Sequence, residues 1–295
     1  MAETFADFAL NRQILNAIEE KGYVTPTPIQ QKAIPSILSG QDVMGIAQTG
    51  TGKTAAYVLP LIMKIKFAQG KDPRALILVH KRELAMQVKE NVDQYSKYTD
   101  LRNLATYGGT GTKAQIEALE KGVDILIATP GRFLELYLEG HVVLKKLQIL
   151  IMDEADRLMD MGFIGQLHRI LEVVPRKRQN LLFSATASDL VKKIAGDFLE
   201  FPTVIEVSPE QATASTVSQL VYEVPNYKTK LKLLLFLLRD HSEESKTMVF
   251  CKTKSIADEV FKTLSEAFNY RNVRVIHGNK EQNTRINSMK SFKEG

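Results

Sequence analysis

The stretch Ala47-Gln48-Thr49-Gly50-Thr51-Gly52-Lys53-Thr54 decides how the chain is interpreted. It follows an apolar run at 43–46 and precedes a helical pattern at 55–67. A strand, a turn of small residues and a helix form the context that a phosphate-binding loop requires. The glycines let the backbone bend tightly, and the first N–H groups of the helix then point towards an anion. The stretch therefore predicts a phosphate-binding loop.

Each residue of this loop has a predicted role. The segment Gln48, Thr49, Gly50, Thr51 and Gly52 should wrap the phosphates with its backbone. Lys53 should reach the β- and γ-phosphates, and the hydroxyl of Thr54 should hold Mg²⁺. The general pattern has glycine at its first position, where this chain has Ala47. The alternative is a surface turn rich in glycine and threonine.

A second acidic motif supports the phosphate-binding interpretation. Asp153-Glu154-Ala155-Asp156 follows the apolar run at 147–152, which reads as a buried strand. Mg²⁺ prefers hard oxygen ligands, and hydrolysis of a phosphate needs a base for the attacking water. We therefore expect Asp153 to be the metal partner and Glu154 the base. The alternative is that these carboxylates only cap a helix N-terminus.

Composition sets broad limits on the class of protein. The 295 residues are 44% hydrophobic and 25% charged, which suits an ordinary protein of about two domains. The single cysteine, Cys251, excludes an internal disulfide and fits a reducing, cytoplasmic location. The N-terminus has no signal-peptide pattern, and no apolar run approaches the roughly 20 residues of a membrane span. The net charge of +5 favours polyanionic partners only weakly.

The pattern of elements predicts an α/β fold. Near-continuous apolar strands alternate with helices over residues 1–207, which indicates a parallel sheet with helices on both faces. Residues 208–218 are small and polar and read as a linker. A new series follows at 219–295, with strands expected at 219–224, 247–251 and 273–276. We expect this series to be an incomplete second domain.

The ordered motifs resemble those of the DEAD-box family of ATP-dependent RNA helicases. The resemblance rests on the loop at 47–54, the Asp-Glu-Ala-Asp tetrapeptide at 153–156 and a set of further motifs. These are Phe5 ahead of 22–30, Arg82-Glu83-Leu84-Ala85, Gly108-Gly109, Thr129-Pro130-Gly131-Arg132, Ser184-Ala185-Thr186, 249–254 and His277-Gly278. It implies two RecA-like domains that close over ATP, Mg²⁺ and single-stranded RNA.

The resemblance assigns the adenine site. It implies that Gln30 reads the adenine edge through its amide, within the motif that contains Tyr23. Phe5 would stack on the base, with Phe8 as a less favoured substitute. The alternative for both phenylalanines is a packing role that holds the first helix on the domain.

The resemblance also implies RNA contacts and a coupling relay. The residues that would touch the RNA backbone, without reading sequence, are Arg82, Gly108, Gly109, Thr129, Gly131 and Arg132. For Arg132 a capping or salt-bridging role stays open. Asp156, Ser184 and Thr186 would form a hydrogen-bonded relay between hydrolysis and strand separation.

Two departures from the family pattern shape the expected function. His80-Lys81 replaces the usual Pro-Thr, and we expect His80 to be a strand-end side chain. The second-domain motifs expected beyond Gly295 are absent, so the chain alone should hydrolyse ATP slowly. The sequence favours a monomeric, ATP-dependent RNA helicase that separates short duplexes. The alternative is a nucleotide-gated RNA clamp with little unwinding; a DNA translocase is less favoured.

Overall fold

The structure is a computed structural model that describes residues 2–207, 218, 220–240, 246–268 and 272–294. The chain divides into two compact units, Met1–Val217 and Ser218–Gly295. Except for residue 218, the predicted linker at 208–218 lies outside the described residues. The domain limits drawn from the sequence therefore stay a prediction.

A seven-stranded parallel sheet forms the centre of the first unit. In chain order its strands are β1 Val43–Ile46, β2 Ala75–Leu78, β3 Asn103–Thr106, β4 Ile125–Ala128, β5 Ile149–Met152, β6 Gln179–Ser184 and β7 Thr203–Glu206. They lie side by side in the order β3-β4-β2-β5-β6-β1-β7. The predicted α/β fold with a parallel sheet is confirmed.

Helices connect the strands of the first unit. A 3-10 turn at Phe5–Asp7 precedes them. The helices are α1 Arg12–Glu20, α2 Pro28–Leu38, α3 Lys53–Ile65, α4 Arg82–Tyr95, α5 Lys113–Glu120, α6 Pro130–Leu138, α7 Ala155–Asp160, α8 Ile164–Val173 and α9 Asp189–Phe198. Parallel strands require such crossover connections, because a short hairpin turn can join only antiparallel strands.

Two hydrophobic cores cover the faces of the sheet. Along β2, Ile77 belongs to one core and its neighbours Leu76 and Leu78 belong to the other. This alternation follows from the period of two along a strand, which sends successive side chains to opposite faces. Both faces are packed, so β1, β2, β4, β5 and β6 are buried along their whole length.

The second unit contains three helices in its described residues, α10 Tyr227–Asp240, α11 Lys254–Ala267 and α12 Gln282–Glu294. The strand predictions at 220–224, 247–251 and 273–276 are wrong for this structure, because none of these described segments pairs with another. Gln219 lies outside the described residues. Apolar side chains that would face a core are exposed instead, with 88% of Phe250 accessible. A β-strand also needs a neighbouring strand to pair with its backbone N–H and C=O groups, and an apolar pattern alone does not provide one.

Candidate active site

Four neighbouring strands bring the predicted motifs to one edge of the sheet. β2, β5, β6 and β1 are adjacent, and the residues that follow them lie at their carboxyl ends. The ladder continues past the strand ends, since Asp153 N donates to Leu78 O at 3.0 Å and Ala47 N donates to Ser184 O at 3.0 Å. In open α/β sheets this edge is where ligands bind.

The loop after β1 has the backbone shape of a phosphate site. Gly50 and Gly52 adopt φ values of 85° and 89°, a left-handed region that disfavours other residues. Thr51 closes the turn, because its hydroxyl donates to Gln48 O at 2.7 Å. Gly52 is the N-cap of α3 and carries no side-chain cap. The free N–H groups of the first helical turn are therefore available to an anion.

Lys53 lies within this loop rather than in solvent. Its ammonium donates to Ala47 O at 2.5 Å, and only 7% of the residue is exposed. Burial lowers the pKa of Lys53, while the carboxylates of Asp153, Glu154 and Asp156 oppose that shift. The carboxylates of the acidic motif therefore lie close enough to the Lys53 ammonium to affect its pKa.

Gln30 connects the N-terminus of α2 to the phosphate loop. Its Oε1 accepts from Thr27 N at 2.9 Å, and its Nε2 donates to Gly52 O at 3.1 Å. A Cβ at Gly52 would lie 2.4 Å from Gln30 Nε2, so another residue there would displace the Gln30 amide as well as strain a backbone with φ of 89°. The amide still has one acceptor lone pair and one N–H to offer a ligand.

Phe5 is packed inside the first unit. It is 4% exposed, and its ring contacts Phe8 at 6.0 Å and Tyr23 at 6.3 Å between centroids. Phe8 is buried as well, whereas Tyr23 is 38% exposed. The structure therefore gives Phe5 and Phe8 the packing role that the sequence left open. The adenine-stacking role of Phe5 stays a prediction.

Asp153 is a buried carboxylate held by two donors. Its Oδ2 accepts from the Tyr57 hydroxyl at 2.7 Å, and its Oδ1 accepts from Glu154 N at 2.9 Å. Burial raises the pKa of Asp153 to about 6, although Tyr57 and Lys53 favour its charged form. Thr54 stands in the first turn of α3, one turn before Tyr57. A hydroxyl and a carboxylate are hard oxygen donors, and Mg²⁺ needs few protein ligands because it retains waters. These residues fit the predicted metal.

The raised pKa of Asp153 predicts a pH-dependent cost to stability. Because the folded-state pKa exceeds the ordinary value of 3.8, stability is highest below pH 3.8, where Asp153 is neutral. The cost of ionising the buried carboxyl grows as the pH rises from 3.8 to about 6 and is complete above that range. Asp153→Asn should raise the free energy of unfolding at pH 8 by up to about 3 kcal/mol without nucleotide or Mg²⁺. Urea unfolding of both proteins at pH 5 and pH 8 measures this. Equal pH slopes for both would contradict the expectation.

Glu154 is the N-cap of α7 and has an unusual backbone conformation. Its φ and ψ are 51° and 53°, in the left-handed region that is uncommon outside glycine. Such strain costs about 1–3 kcal/mol and clusters at functional sites. Its carboxylate lies 3.3 Å from Nδ1 of His80, which is 6% exposed.

The predicted relay residues are close together. The Thr186 hydroxyl donates to Asp156 Oδ2 at 3.3 Å, and Thr186 N donates to Ser184 Oγ at the same distance. Asp156 and Ser184 are buried, while Thr186 is exposed. A link therefore runs from the acidic motif after β5 to the loop after β6.

The loops assigned to RNA lie around α4 and α6. The Arg82 guanidinium carbon is 4.9 Å from the centre of the Tyr107 ring, a cation–π contact beside the exposed Gly108 and Gly109. Thr129 is the N-cap of α6 without a side-chain cap bond, and Gly131 is exposed in the first turn. These backbone and hydroxyl donors remain available to a ligand.

Arg132 differs from the other residues assigned to RNA. It is 7% exposed, its Nε donates to Glu135 at 2.9 Å and its Nη2 donates to Thr110 O at 2.9 Å. This is the salt-bridging alternative, and the buried guanidinium fixes the glycine loop to α6. These contacts position the glycine loop, and the RNA contact assigned to Arg132 stays a prediction.

Sequence motifs did not single out Tyr57 as a partner of the acidic motif. It lies 96 residues before Asp153, inside a helix where an aromatic residue reads as core. The only sequence feature that could have identified Tyr57 as part of the site is its position one helical turn after the phosphate loop. Within the described ranges, no helix combines the length and apolar character needed to cross a bilayer.

Comparison with known proteins gives a consistent result. A family model described as DEAD/DEAH box helicase matches residues 27–194, and one described as helicase conserved C-terminal domain matches residues 229–295. The chain is 36% identical to the DEAD-box ATP-dependent RNA helicase RhpA of Helicobacter pylori, over 99% of this chain and 58% of that protein. It is 37% identical to the ATP-dependent RNA helicase RhlB of Pasteurella multocida, over 99% of this chain and 69% of that protein.

A solved structure agrees in fold as well as in sequence. A DEAD box protein from the hyperthermophile Methanococcus jannaschii superposes with a TM-score of 0.67 at 32% identity, covering 99% of this chain and 77% of that one. The chain spans 58% of the length of its relative RhpA. The two family models, in order along the sequence, and the shared sheet lead to one conclusion: this chain belongs to the DEAD/DEAH box helicase family.

Proposed function

We propose that this chain is an ATP-dependent RNA helicase that couples Mg-ATP hydrolysis to RNA binding. The observation that carries the proposal is the meeting of Lys53, which follows β1, with Asp153 and Glu154, which follow β5. The two strands flank β6, and the three charged groups lie within mutual electrostatic reach. Family membership and the names of its relatives support the same activity.

The residues of the loop and acidic motif divide the chemistry between them. The amides at the start of α3 and the Lys53 ammonium bind the phosphates and offset their negative charge. Thr54 and Asp153 would hold Mg²⁺, which supplies additional charge stabilisation at the phosphate oxygens when bound. Glu154 orients the attacking water and accepts its proton. Gln30 selects adenine, with Tyr23 and Phe5 beside it.

RNA binding is proposed for the loops around α4 and α6. Arg82 would neutralise phosphate charge, and Thr129 would donate to a phosphate oxygen. Gly108, Gly109 and Gly131 allow the strand to approach the backbone closely. The link from Thr186 to Asp156 would report nucleotide state to these loops. We further propose that the protein acts as a monomer in the cytoplasm, where Cys251 stays reduced.

Nucleic-acid dependence of ATP hydrolysis tests the proposal. Phosphate release is measured at saturating Mg-ATP with single-stranded RNA, with DNA of the same sequence, and with neither. We expect stimulation by RNA alone, since contacts that include the 2′-hydroxyl distinguish RNA from DNA. Equal stimulation by DNA contradicts the proposal. Retention of RNA with a non-hydrolysable ATP analogue, without separation of a short duplex, would instead indicate an RNA clamp.

A further inference from the structure

His80 is the one side chain within ion-pair distance of the Glu154 carboxylate in the described part of the chain. Its Nδ1 is 3.3 Å from Glu154 Oε2. The register explains the contact, because Leu78 pairs with Met152 and both residues lie two positions beyond that pair. Adjacent parallel strands are about 4.8 Å apart, so side chains at matching positions can meet.

The His80 ring is buried with one nitrogen unsatisfied. It is 6% exposed, and its Nδ1 has no hydrogen-bonding partner among the described residues. A buried polar atom without a partner is destabilising, and the Glu154 oxygen at 3.3 Å lies within ion-pair distance but is not aligned as a hydrogen-bond acceptor. Hydrogen bonds at a catalytic site are often poorly aligned before the substrate binds. Burial lowers the pKa of His80, Glu154 opposes that shift, and Lys81 and Arg157 add to it. A neutral imidazole still has one N–H to donate.

Among the described residues, no side chain donates a hydrogen bond to the Glu154 carboxylate. Its backbone is held in the left-handed region, and Glu154 N donates to Asp153 Oδ1. Those contacts fix the start of the side chain and leave its end free to rotate. A general base must be held close to the productive geometry, since a 1 Å displacement can cost about 10²-fold in rate.

We infer that His80 is a positioning residue for the general base: when the Glu154 carboxylate turns into line, Nδ1–H of His80 donates to Glu154 Oε2 and leaves the other carboxylate oxygen for the attacking water. This inference rests on the proposed function. The family pattern has proline at this position, so a motif search passes over a histidine there. The role belongs to the particular pair of residues that this chain places at the ends of β2 and β5.

Three substitutions at position 80 test the role. His80→Ala removes the donor, His80→Asn places an amide N–H near the position of Nδ1, and His80→Gln places one near the position of Nε2. We expect His80→Ala to lower kcat for RNA-stimulated ATP hydrolysis by about 10–100-fold. KM for ATP and the affinity for a fluorescent ADP analogue should not change. His80→Asn should restore most of the rate, and His80→Gln should not.

A cycle with Glu154→Gln separates the two proposals. If His80 acts through Glu154, then His80→Ala adds no further loss in the Glu154→Gln background. Additive losses, a wild-type kcat in His80→Ala, or equal rescue by Gln and Asn would overturn the inference. If His80→Ala does not fold, the comparison of Asn with Gln still decides it. If Glu154→Gln alone leaves hydrolysis unchanged, the proposed function itself fails.

Discussion

Replacing Glu154 with glutamine is expected to slow ATP hydrolysis by about 10²–10⁴-fold when all the ATP is enzyme-bound and RNA is saturating. Glutamine has the same shape but cannot accept a proton at neutral pH. The phosphate loop does not use the Glu154 carboxylate, so nucleotide affinity should stay near that of the unmodified chain. Single-turnover hydrolysis with enzyme in excess measures the chemical step, and titration with a fluorescent ADP analogue measures binding.

A matched control keeps this result specific. Asp160 lies in the same helix α7, and its side chain is 64% exposed beside Arg157. Asp160→Asn removes the same charge from the same helix and should leave the rate unchanged, because an exposed ion pair contributes little. A Glu154→Gln protein that hydrolyses ATP at the unmodified rate would contradict the proposed function, because Glu154 would then not activate the water.

The phosphate loop and the acidic motif were predictable because their information is local. Residues 47–54 contain their own glycines and their own helix start, and 153–156 follow a strand that its apolar run identifies. The parallel sheet was predictable for the same reason, since fully apolar strands separated by helices require packing on both faces. In each case the residues that form the feature are close together in the sequence, so the local pattern is enough to predict it.

Contacts between distant segments were not predictable in this way. The pairing of His80 with Glu154 depends on β2 lying next to β5, and alternating strands and helices do not specify that order. The burial of Arg132 depends on Thr110, 22 residues away along the chain. The strand prediction at 247–251 was wrong for a related reason, because an apolar run does not show whether another strand is present to pair with it.

A buried ionic cluster at the opposite edge of the sheet illustrates the same limit. Asp124 is fully buried just before β4, and its carboxylate accepts from Arg74 Nη2 and Arg102 Nε, both at 2.8 Å. The backbone N–H groups of Gln69 and Arg102 donate to it as well. Burial alone would raise the pKa of Asp124, but the hydrogen bonds from Arg102, Gln69 and Arg74 outweigh it and lower that pKa.

Asp124→Asn is expected to lower the free energy of unfolding by about 3–5 kcal/mol at pH 7, because a buried Arg74 guanidinium then loses its counter-charge. The side chain of Arg74 is only 6% exposed, whereas that of Arg102 is 33% exposed and can be hydrated. Urea unfolding with circular dichroism measures the loss. Glu120→Gln, an exposed substitution at the end of α5, should change stability little.

Removing the uncompensated charge of Arg74 should recover part of the lost stability. Adding Arg74→Met to Asp124→Asn eliminates the uncompensated buried cation, so the double variant should unfold at higher urea than Asp124→Asn alone. The lowered pKa of Asp124 gives a second check by pH. The stability that the Asp124 carboxylate contributes to the folded state is present above pH 3.8 and is lost as the pH falls below that value. The cluster lies at the amino ends of β2, β3 and β4, whereas the phosphate loop follows the carboxyl end of β1, so nucleotide affinity of the folded variants should be unchanged. A double variant less stable than Asp124→Asn would show that Arg74 stabilises this edge through its hydrogen bonds to Ile65 O and Phe67 O rather than through its charge.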